Sequence, residues 1–357
     1  MKKLQDANNT SGIRRATVHD VAQRAEVSIA TVSRALNTPQ MVRPEVRDRI
    51  FKAAAELDYT ANSIGKALRR RRTQIIGTLV PALNDPLFSE VANGVQQALA
   101  QDGYVGFLQT SGFDNRRLFE QAKHMIDGGA EGLLVFGRID DQRLLDHAAQ
   151  RGFPLLSIYS YDRTSTVPAV GIDNARATQQ LIDVLRELGH RQIAMISGDT
   201  DGNDRQAARA AAYGERMTEL GSPIALEVLK TGDELSGSVA ALHRLLEHHD
   251  ETTAIICNRD NIAFAVLSEC RRLGIEVPEK LSVTGFDDLS FAPLLDPSLT
   301  AVSVPAEQIG RLAAKAMMSF LENGEPLTSV CLDTEVVVRG STARPRRSRR
   351  LRPGPPP

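Results

Sequence analysis

Apolar residues between positions 17 and 59 recur three and four places apart, with no strand-like alternation. This spacing is typical of amphipathic helices. After Gln74 the pattern changes, and short apolar runs alternate with helical stretches. The predicted strands cover residues 75–80, 104–108, 132–136, 154–158, 193–196, 254–257 and 281–286, and helices are predicted at 88–101, 115–126, 175–188 and 262–273. Strands alternating with helices indicate parallel sheets with helices on both faces.

The size of this second region favours two lobes. With roughly 265 residues, two α/β lobes fit better than one very wide sheet. Ligands of open α/β sheets bind beyond the carboxyl ends of the strands, so we expect a binding cleft between the lobes.

The first region has the signals of a helix-turn-helix. Thr17 can cap one helix and Asp20 can return a hydrogen bond to the cap, while Ser28 can cap a second helix. A third helix over residues 45–57 follows Pro44, a residue favoured in the first helical turn. The second helix leaves short side chains and one arginine outward, a set that suits reading of bases in the major groove. These outward residues are Ile29, Ala30, Thr31, Ser33 and Arg34.

Charge is segregated along the chain, although the net charge is only −1. Residues 1–72 hold 15 Lys and Arg against 7 Asp and Glu, and residues 339–357 hold 7 Arg and no acid. The segment 73–338 between them carries 21 basic and 37 acidic residues. Solubility alone is one explanation of this asymmetry. A basic head of this size favours the other, which is binding of nucleic acid.

Composition argues against secretion and membrane insertion. The three cysteines, Cys257, Cys270 and Cys331, fit neither a disulfide framework nor a zinc site in their spacing. A polar run follows the first lysines where a signal peptide would be apolar, and no stretch reaches about 18 consecutive apolar residues. We therefore expect a cytoplasmic protein.

Motifs for catalysis or for a cofactor are not found in the sequence. Asp287 and Asp288 are adjacent, so on a strand their side chains diverge and cannot form an acid/base pair. His248 and His249 are also neighbours, and His243 does not stand four residues from either, so we predict no metal site. The sequence has no dinucleotide-binding glycine motif, no phosphate-binding loop and no nucleophile elbow. We expect no cofactor and no enzymatic activity.

Motifs in a fixed order carry a resemblance to a known family. The head contains TVHDVA at 17–22, VSIATVSRALN at 27–37, VRP at 42–44, LDY at 57–59 and Asn62. The body contains DN at 173–174, LGHR at 188–191, GFDD at 285–288 and PSLT at 297–300. Up to about residue 340, the chain closely resembles the lactose/galactose repressor (LacI/GalR) family of bacterial transcription regulators, in particular members that respond to sugars or sugar acids, such as gluconate repressors.

The resemblance implies a mixed α/β chain of several parts. These are a disordered arm (1–16), an all-α helix-turn-helix head (17–60), a hinge helix with linker (61–73), a two-lobed body like periplasmic binding proteins (74–340), and a disordered basic, proline-rich tail (341–357). The body would bind the effector and form a homodimer.

By the same resemblance, Ile29, Ala30 and Arg34 read bases. Residues implied to position the head on phosphates are Thr17, Ser28, Thr31, Ser33 and Asn37. The hinge helix would begin at Asn62 and insert Leu68 into the minor groove as an apolar wedge.

The resemblance also implies an effector site between the lobes. Its residues are Leu87 and Phe88 from the first lobe, Asp162 near the crossover, and Arg209 and Asp287 as the main polar clamps. Arg259 stands where the family usually has asparagine, and a second cation without an aromatic lid favours a sugar acid or sugar phosphate. Alternatively, Arg259 pairs with Asp260 or Asp287 and serves structure.

We interpret the chain as an inducible repressor that binds palindromic operator DNA as a dimer. Two other classes share parts of this pattern. A solute-binding receptor has the same body but needs a signal peptide and no DNA-reading head. A sugar-converting enzyme with a fused regulatory head would turn its ligand over.

Overall fold

The computed structural model describes residues 16–59, 72–229 and 234–346. The chain divides into two compact units, with the boundary along the chain between Thr73 and Gln74. They are here called the head and the body. Most of the predicted arm, hinge and tail lies outside the described residues.

Within residues 16–59, the head has three helices, which are α1 (Val18–Arg24), α2 (Ile29–Asn37) and α3 (Pro44–Glu56), with a 3₁₀ turn at Pro39–Met41. Both predicted caps are present. The Thr17 hydroxyl and the Asp20 carboxylate form a reciprocal capping box on α1, and the Ser28 hydroxyl accepts from the amide of Thr31 on α2 at 3.1 Å. These local hydrogen bonds start each helix at its predicted position. The buried core of the head consists of Val21, Ala22, Ala25, Val32, Ala35, Ile50, Ala53 and Ala54.

The turn between α1 and α2 is tight. Glu26 has φ 53°, in the left-handed region that favours glycine. Arg49 Nε on α3 donates to the carbonyl oxygen of Ala25 at 2.9 Å, and Arg24 pairs with Glu56 at 2.6 Å. Side chains of α3 therefore tie the turn to the rest of the head.

The described strands of the body form two six-stranded sheets, one in each lobe. In chain order, the first elements are β1 (Ile75–Val80), α4 (Pro86–Gln101), β2 (Val105–Thr110), α5 (Asn115–Asp127), β3 (Gly132–Phe136), α6 (Gln142–Ala149), β4 (Leu155–Ser160) and β5 (Ala169–Ile172). The chain then continues with α7 (Asn174–Leu188), β6 (Ile193–Ser197), α8 (Asp204–Glu219), β7 (Leu226–Val228), α9 (Glu234–His248), β8 (Ala254–Cys257), α10 (Asp260–Arg272), β9 (Ser282–Asp287), a 3₁₀ turn at Ala292–Leu294 and β10 (Thr300–Ser303). The last elements are α11 (Ala306–Asn323), β11 (Val330–Leu332) and β12 (Glu335–Val337).

Strand order shows where the chain changes lobe. The sheet of lobe 1 has the order β11-β5-β4-β3-β1-β2 and is parallel throughout, and that of lobe 2 has the order β12-β10-β9-β8-β6-β7. In lobe 2 only the pairing of β10 with β12 is antiparallel, among the strands that the structure describes. The chain crosses from lobe 1 to lobe 2 after β5, returns after β10 and crosses again between β11 and β12. Three chain segments therefore connect the two lobes.

Helix α11 returns to lobe 1 and packs closely against α4. A Cβ atom on Gly94 of α4 would collide with the backbone of Glu307, and one on Gly310 of α11 would collide with the carbonyl of Val91. Glycine at both positions allows the two backbones to come this close. The contact anchors the helix whose first turn borders the cleft.

The body continues beyond the boundary at residue 340 that the sequence predicted. Ser341 is fully buried, and its hydroxyl donates to the carbonyl of Val283 at 2.6 Å. The amide of Ala343 donates to the hydroxyl of Ser282 at 3.1 Å. Residues 341–343 thus bond to β9, which corrects the expectation that the disordered tail begins at 341. The reason is that small hydroxyl side chains satisfy polar groups next to the last strand, a role that hydrophobic patterning does not reveal.

Candidate DNA-reading helix and interlobe cleft

The face of α2 predicted to read bases is exposed. Ile29 is 40% exposed, and Ala30 and Arg34 are also exposed. Ala30 and Arg34 stand four residues apart and hence on one side of the helix. Thr31 and Ser33 are half-buried. Backbone capping by Ser28 and burial of Val32 and Ala35 fix this orientation, since they turn the opposite side of α2 to the core.

The hydroxyls predicted to contact phosphates already make hydrogen bonds within the head. The Thr17 hydroxyl donates to Asp20 Oδ2 at 2.8 Å, so in this geometry it offers a phosphate no proton. Ser28 Oγ and Thr31 Oγ1 lie 2.8 Å apart and share one hydrogen bond, which leaves the second proton of the pair for another acceptor. Asn62, Leu68 and the side chain of Asn37 lie outside what the structure describes.

In the body, the carboxyl ends of the strands in both lobes border a cavity of about 330 Å³. This volume is at the small end of the range for ligand sites. Most of its lining residues carry polar side chains. The lining residues include Asn84, Asp85, Phe88, Phe113, Asp199, Asp201, Asn203, Gln206, Glu234, Arg259 and Asn261. A hydroxyl-rich molecule would find donors and acceptors on all sides.

Arg209 and Asp287, the predicted clamps, meet in a small space beside this cavity. Arg209 Nη2 donates to Asp287 Oδ1 at 3.3 Å and to the Tyr159 hydroxyl at 2.8 Å. Tyr159 in turn donates to Asp287 Oδ1 at 2.6 Å. Burial, and then the Asp287 charge, raise the pKa of Tyr159 well above its usual value, so its hydroxyl keeps its proton and remains a donor. Tyr159 of lobe 1 thereby joins two residues of lobe 2.

Further contacts hold Arg209 rigidly. Its Nε donates to Asn174 Oδ1 at 2.8 Å, its Nη1 donates to the carbonyl of Asn258 at 2.9 Å, and its guanidinium lies 3.4 Å from the ring centre of Phe286. The residue is 1% exposed. A guanidinium with this many partners is a preformed part of the site.

Two residues of the network around Arg209, namely Tyr159 and Asp287, have strained backbones. Tyr159 has φ 79° and Asp287 has φ 105°, in a region that costs a non-glycine residue about 1–3 kcal/mol. Both stand at the ends of buried strands, where the hydrogen bond between them and the surrounding network hold them in place. The next residue, Asp288, points away to Arg339, which it binds at 2.6 and 3.1 Å. The two adjacent aspartates therefore diverge, as the sequence predicted.

Arg259 does not offer the cleft a free cation. Its Nη1 contacts both carboxylate oxygens of Glu234 at 2.8 and 3.0 Å, and its Nη2 pairs with Asp85 of lobe 1. Asp85 also caps α4 by accepting from the amide of Leu87 at 3.0 Å. From the sequence, the alternative partner of Arg259 was Asp260 or Asp287. The structure instead pairs Arg259 with Asp85 and Glu234. These partners were missed because they lie 174 and 25 positions away.

The six predicted effector residues separate into two groups. Leu87, Phe88, Arg209, Arg259 and Asp287 all line a small space of about 10 Å³ that adjoins the first cavity. Asp162 lies elsewhere, in a second cavity of about 300 Å³, where it pairs with Arg138 at 3.1 Å. The Asp162 pKa is lowered, first by hydrogen bonds from Thr164 and then by Arg138. The structure thus brings five of the six together.

Arg205 is a further cleft residue that the sequence analysis missed. It lies on α8 four residues before Arg209, is 5% exposed, and lines the same small space. Its guanidinium faces the rings of Phe88, Phe113, Phe136 and Tyr159 at 4.7–5.8 Å. Its spacing from Arg209 was the available signal, because residues four apart share one helix face.

Metal-binding groups and reactive thiols are few in the described part of the chain. Residues 16–59, 72–229 and 234–346 contain no group of three or more His, Cys, Asp or Glu side chains that could hold a metal. Cys257 and Cys270 are buried as free thiols and Cys331 is exposed. Within the same ranges, no helix has the length and apolarity needed to cross a membrane.

Known protein families match both the head and the body of this chain. Residues 17–62 match the family described as bacterial regulatory proteins, lacI family, and residues 182–342 match a periplasmic binding protein-like domain. The HTH-type transcriptional repressor CytR of Escherichia coli (strain K12) is 30% identical over 336 residues, which are 92% of this chain and 96% of CytR.

The chain belongs to the LacI family.

Two further similarities support this assignment. The ribose operon repressor of Haemophilus influenzae is also 30% identical over 336 residues, 91% of this LacI-family chain and 98% of that repressor. A crystal structure of the Lac repressor dimer bound to operator and the anti-inducer ONPF shares the fold, with a TM-score of 0.84 at 21% identity over 92% of this chain and all of that one. The predicted family and fold class are confirmed, and the protein is a DNA-binding transcription regulator.

Proposed function

We propose that the protein is a repressor whose binding to a two-fold symmetric operator is controlled by a small sugar, sugar acid or sugar phosphate held between the two lobes. The exposed reading face of α2 carries the first half of this proposal. The cavity between the lobes, most of whose lining residues carry polar side chains, carries the second half. Operator DNA and the effector share the cytoplasm, where we place the protein.

The chemistry of α2 supports recognition of specific bases. Arg34 can donate two hydrogen bonds to O6 and N7 of guanine, while Ile29 and Ala30 are short enough to contact base edges or a thymine methyl group. We propose that Ser28, Thr31 and Ser33 position the helix, and that Asn62 and Leu68 belong to a hinge segment that contacts the minor groove.

Contacts across the cleft support control by a ligand. Three arginines of lobe 2 each meet lobe 1, where Arg205 contacts aromatic rings, Arg209 contacts Tyr159 and Arg259 contacts Asp85. A ligand that replaces part of these contacts changes the relative stability of the open and closed arrangements. To shift occupancy of the operator from 99:1 to 1:99, it must discriminate between the two states by about 5.5 kcal/mol.

Exposed apolar surface on the body supports a homodimer. A groove of about 540 Å³ has a largely apolar lining, and apolar patches of this kind mark interfaces. Two heads are needed because a single one contributes little specific affinity, and a two-fold site requires a two-fold dimer. The apolar residues in or beside the groove are Pro86, Leu235, Phe264, Phe291, Leu294 and Leu295.

Genomic footprinting with and without candidate sugars tests the proposal, followed by operator binding of two variants. Arg34→Ala should lose roughly 1–3 kcal/mol of operator affinity and relax the preference at one base pair. Arg24→Ala is the matched control, since Arg24 is engaged by Glu56 on the neighbouring helix. Equal, weak binding to every duplex, whatever sugar is added, would contradict the proposal. Turnover of a candidate ligand would favour an enzyme instead.

A further inference from the structure

Arg205 combines deep burial with few polar partners. It is 5% exposed, and among the residues that the structure describes its hydrogen-bond partner is Asp204, with Nη1 to Oδ1 at 3.4 Å. This distance is at the long end for a hydrogen bond. Asp204 is itself shared, since its other oxygen accepts from the amide of Arg138 at 3.1 Å. By comparison, the neighbouring Arg209 has four acceptors at 2.8–3.3 Å.

Aromatic rings hold the guanidinium of Arg205 in place. Phe136 lies nearest at 4.7 Å, and Phe88, Phe113 and Tyr159 surround it at 5.5–5.8 Å. Cation–π attraction stabilises a guanidinium over a ring face without using its N–H groups. The rings therefore fix the position of the cation and leave N–H donors for another acceptor.

The position of Arg205 in its helix adds a second positive field. Asn203 caps α8, so Arg205 is the second residue of a 16-residue helix. A cation in the first turn of a helix is unfavourable because the amides there are already positive, whereas an anion is stabilised at this end. Arg205 and the start of α8 thus act in the same direction on any group placed between them and the cavity.

Asp204 offsets part of this field, since its carboxylate lies 3.4 Å from Arg205, but three other acids at the cleft are engaged by different residues. Asp85 and Glu234 are engaged by Arg259, and Asp287 is engaged by Arg209 and Tyr159. The small space that Arg205 lines shares Phe88, Phe113, Asn203, Gln206 and Arg259 with the larger cavity, so a substituent of a ligand in the larger cavity can point toward it.

We propose that Arg205 determines effector specificity by binding an oxyanion of the ligand, a carboxylate or a phosphate, at the aromatic floor of the cleft. This inference rests on the proposed function, because it assumes that the cleft holds the effector. It assigns to Arg205 the role that the sequence had given to Arg259. A neutral sugar would leave the Arg205 donors without an acceptor, and the protein would therefore favour acidic sugars over neutral ones.

Isothermal titration of the full-length protein with glucose, gluconate and glucose 6-phosphate tests this proposal and separates the two oxyanions. Wild-type protein should bind at least one of the two acids more tightly than glucose. Arg205→Met keeps an apolar side chain against the rings and removes the charge, and should weaken binding of that acid roughly ten- to hundredfold while leaving glucose binding within about twofold. Arg205→Lys keeps the charge without the planar fork and should restore part of the affinity.

The matched control is Arg216→Met on the same helix, because Arg216 pairs with Asp183 and Glu219 instead of facing the cleft. It should bind all three compounds as the wild type does. Thermal melts establish that each variant is folded. The proposal is overturned if neither acid binds wild-type protein more tightly than glucose, or if Arg205→Met keeps the wild-type preference. Loss of the proposed function would show separately, as operator binding that no compound alters.

Discussion

Truncation of Ile50 should unfold the head and leave the body folded. Ile50 lies on α3, is fully buried and belongs to a core of only eight buried residues. An Ile→Ala change in a core costs about 2–5 kcal/mol, since the cavity left behind adds to the lost burial. The described head has 44 residues, and at the usual stability per residue it is worth roughly 2–7 kcal/mol in total. The substitution therefore removes most of the stability of the head.

Two measurements follow the head and the body separately. Hydrogen exchange of amides in residues 16–59 reports the stability of the head, and operator binding by mobility shift reports its function. For Ile50→Ala we expect loss of protection in the head, at least tenfold weaker operator binding, and unchanged effector binding by the body. Phe51→Ala is the neighbouring control, because Phe51 is 42% exposed and should change stability by less than about 0.5 kcal/mol. Protection of the Ile50→Ala head within about 1 kcal/mol of wild type would refute the reasoning.

Three other substitutions test the turn between α1 and α2, the buried pair of Arg209 with Asp287, and the buried histidine His190. Glu26→Gly should stabilise the head by up to about 1 kcal/mol in thermal melts, since it relieves a left-handed conformation at φ 53°; a lower melting temperature would contradict this. Arg209→Met should cost the body about 3–5 kcal/mol in urea titrations because Asp287 stays buried without its cation, and adding Asp287→Asn should recover part of the loss. Burial lowers the pKa of His190, so the folded state binds fewer protons than the unfolded state, and the body should lose stability as pH falls below about 6.5. His190→Gln should flatten that dependence, and an unchanged slope would show that other groups cause it.

Local features of the head were predictable from sequence. The capping box of Thr17 and Asp20 and the cap at Ser28 join residues three apart, so their partners are visible in the sequence itself. Strands β1, β3 and β8 were also predicted with their observed bounds, because a short, mostly apolar run has few other uses in a parallel sheet.

Other elements were missed, among them the buried strands β5 and β10. The short strands β7, β11 and β12 are half-buried or exposed and span only three residues each, too few to show a strand pattern. Helix α8 was missed for a different reason, since the side that it buries includes Arg205, Gln206 and Arg209. Apolar periodicity does not reveal a helix whose buried face begins with polar residues and becomes apolar only from Ala210 onward. That polar face is the part of α8 that enters the cleft.

The sequence by itself determined the alternation of strands and helices in the body, the caps of the head, the segregation of charge and the family. Only the tertiary structure decided how the arginines of the cleft are used. Arg259 is engaged by carboxylates from both lobes, while Arg205 faces rings of the opposite lobe and has one long hydrogen bond among the described residues. The physical reason is the separation along the chain over which each interaction acts. Helix caps and periodicity act over a few residues, but whether a buried charge is neutralised depends on groups brought from distant parts of the chain by the packing of two sheets.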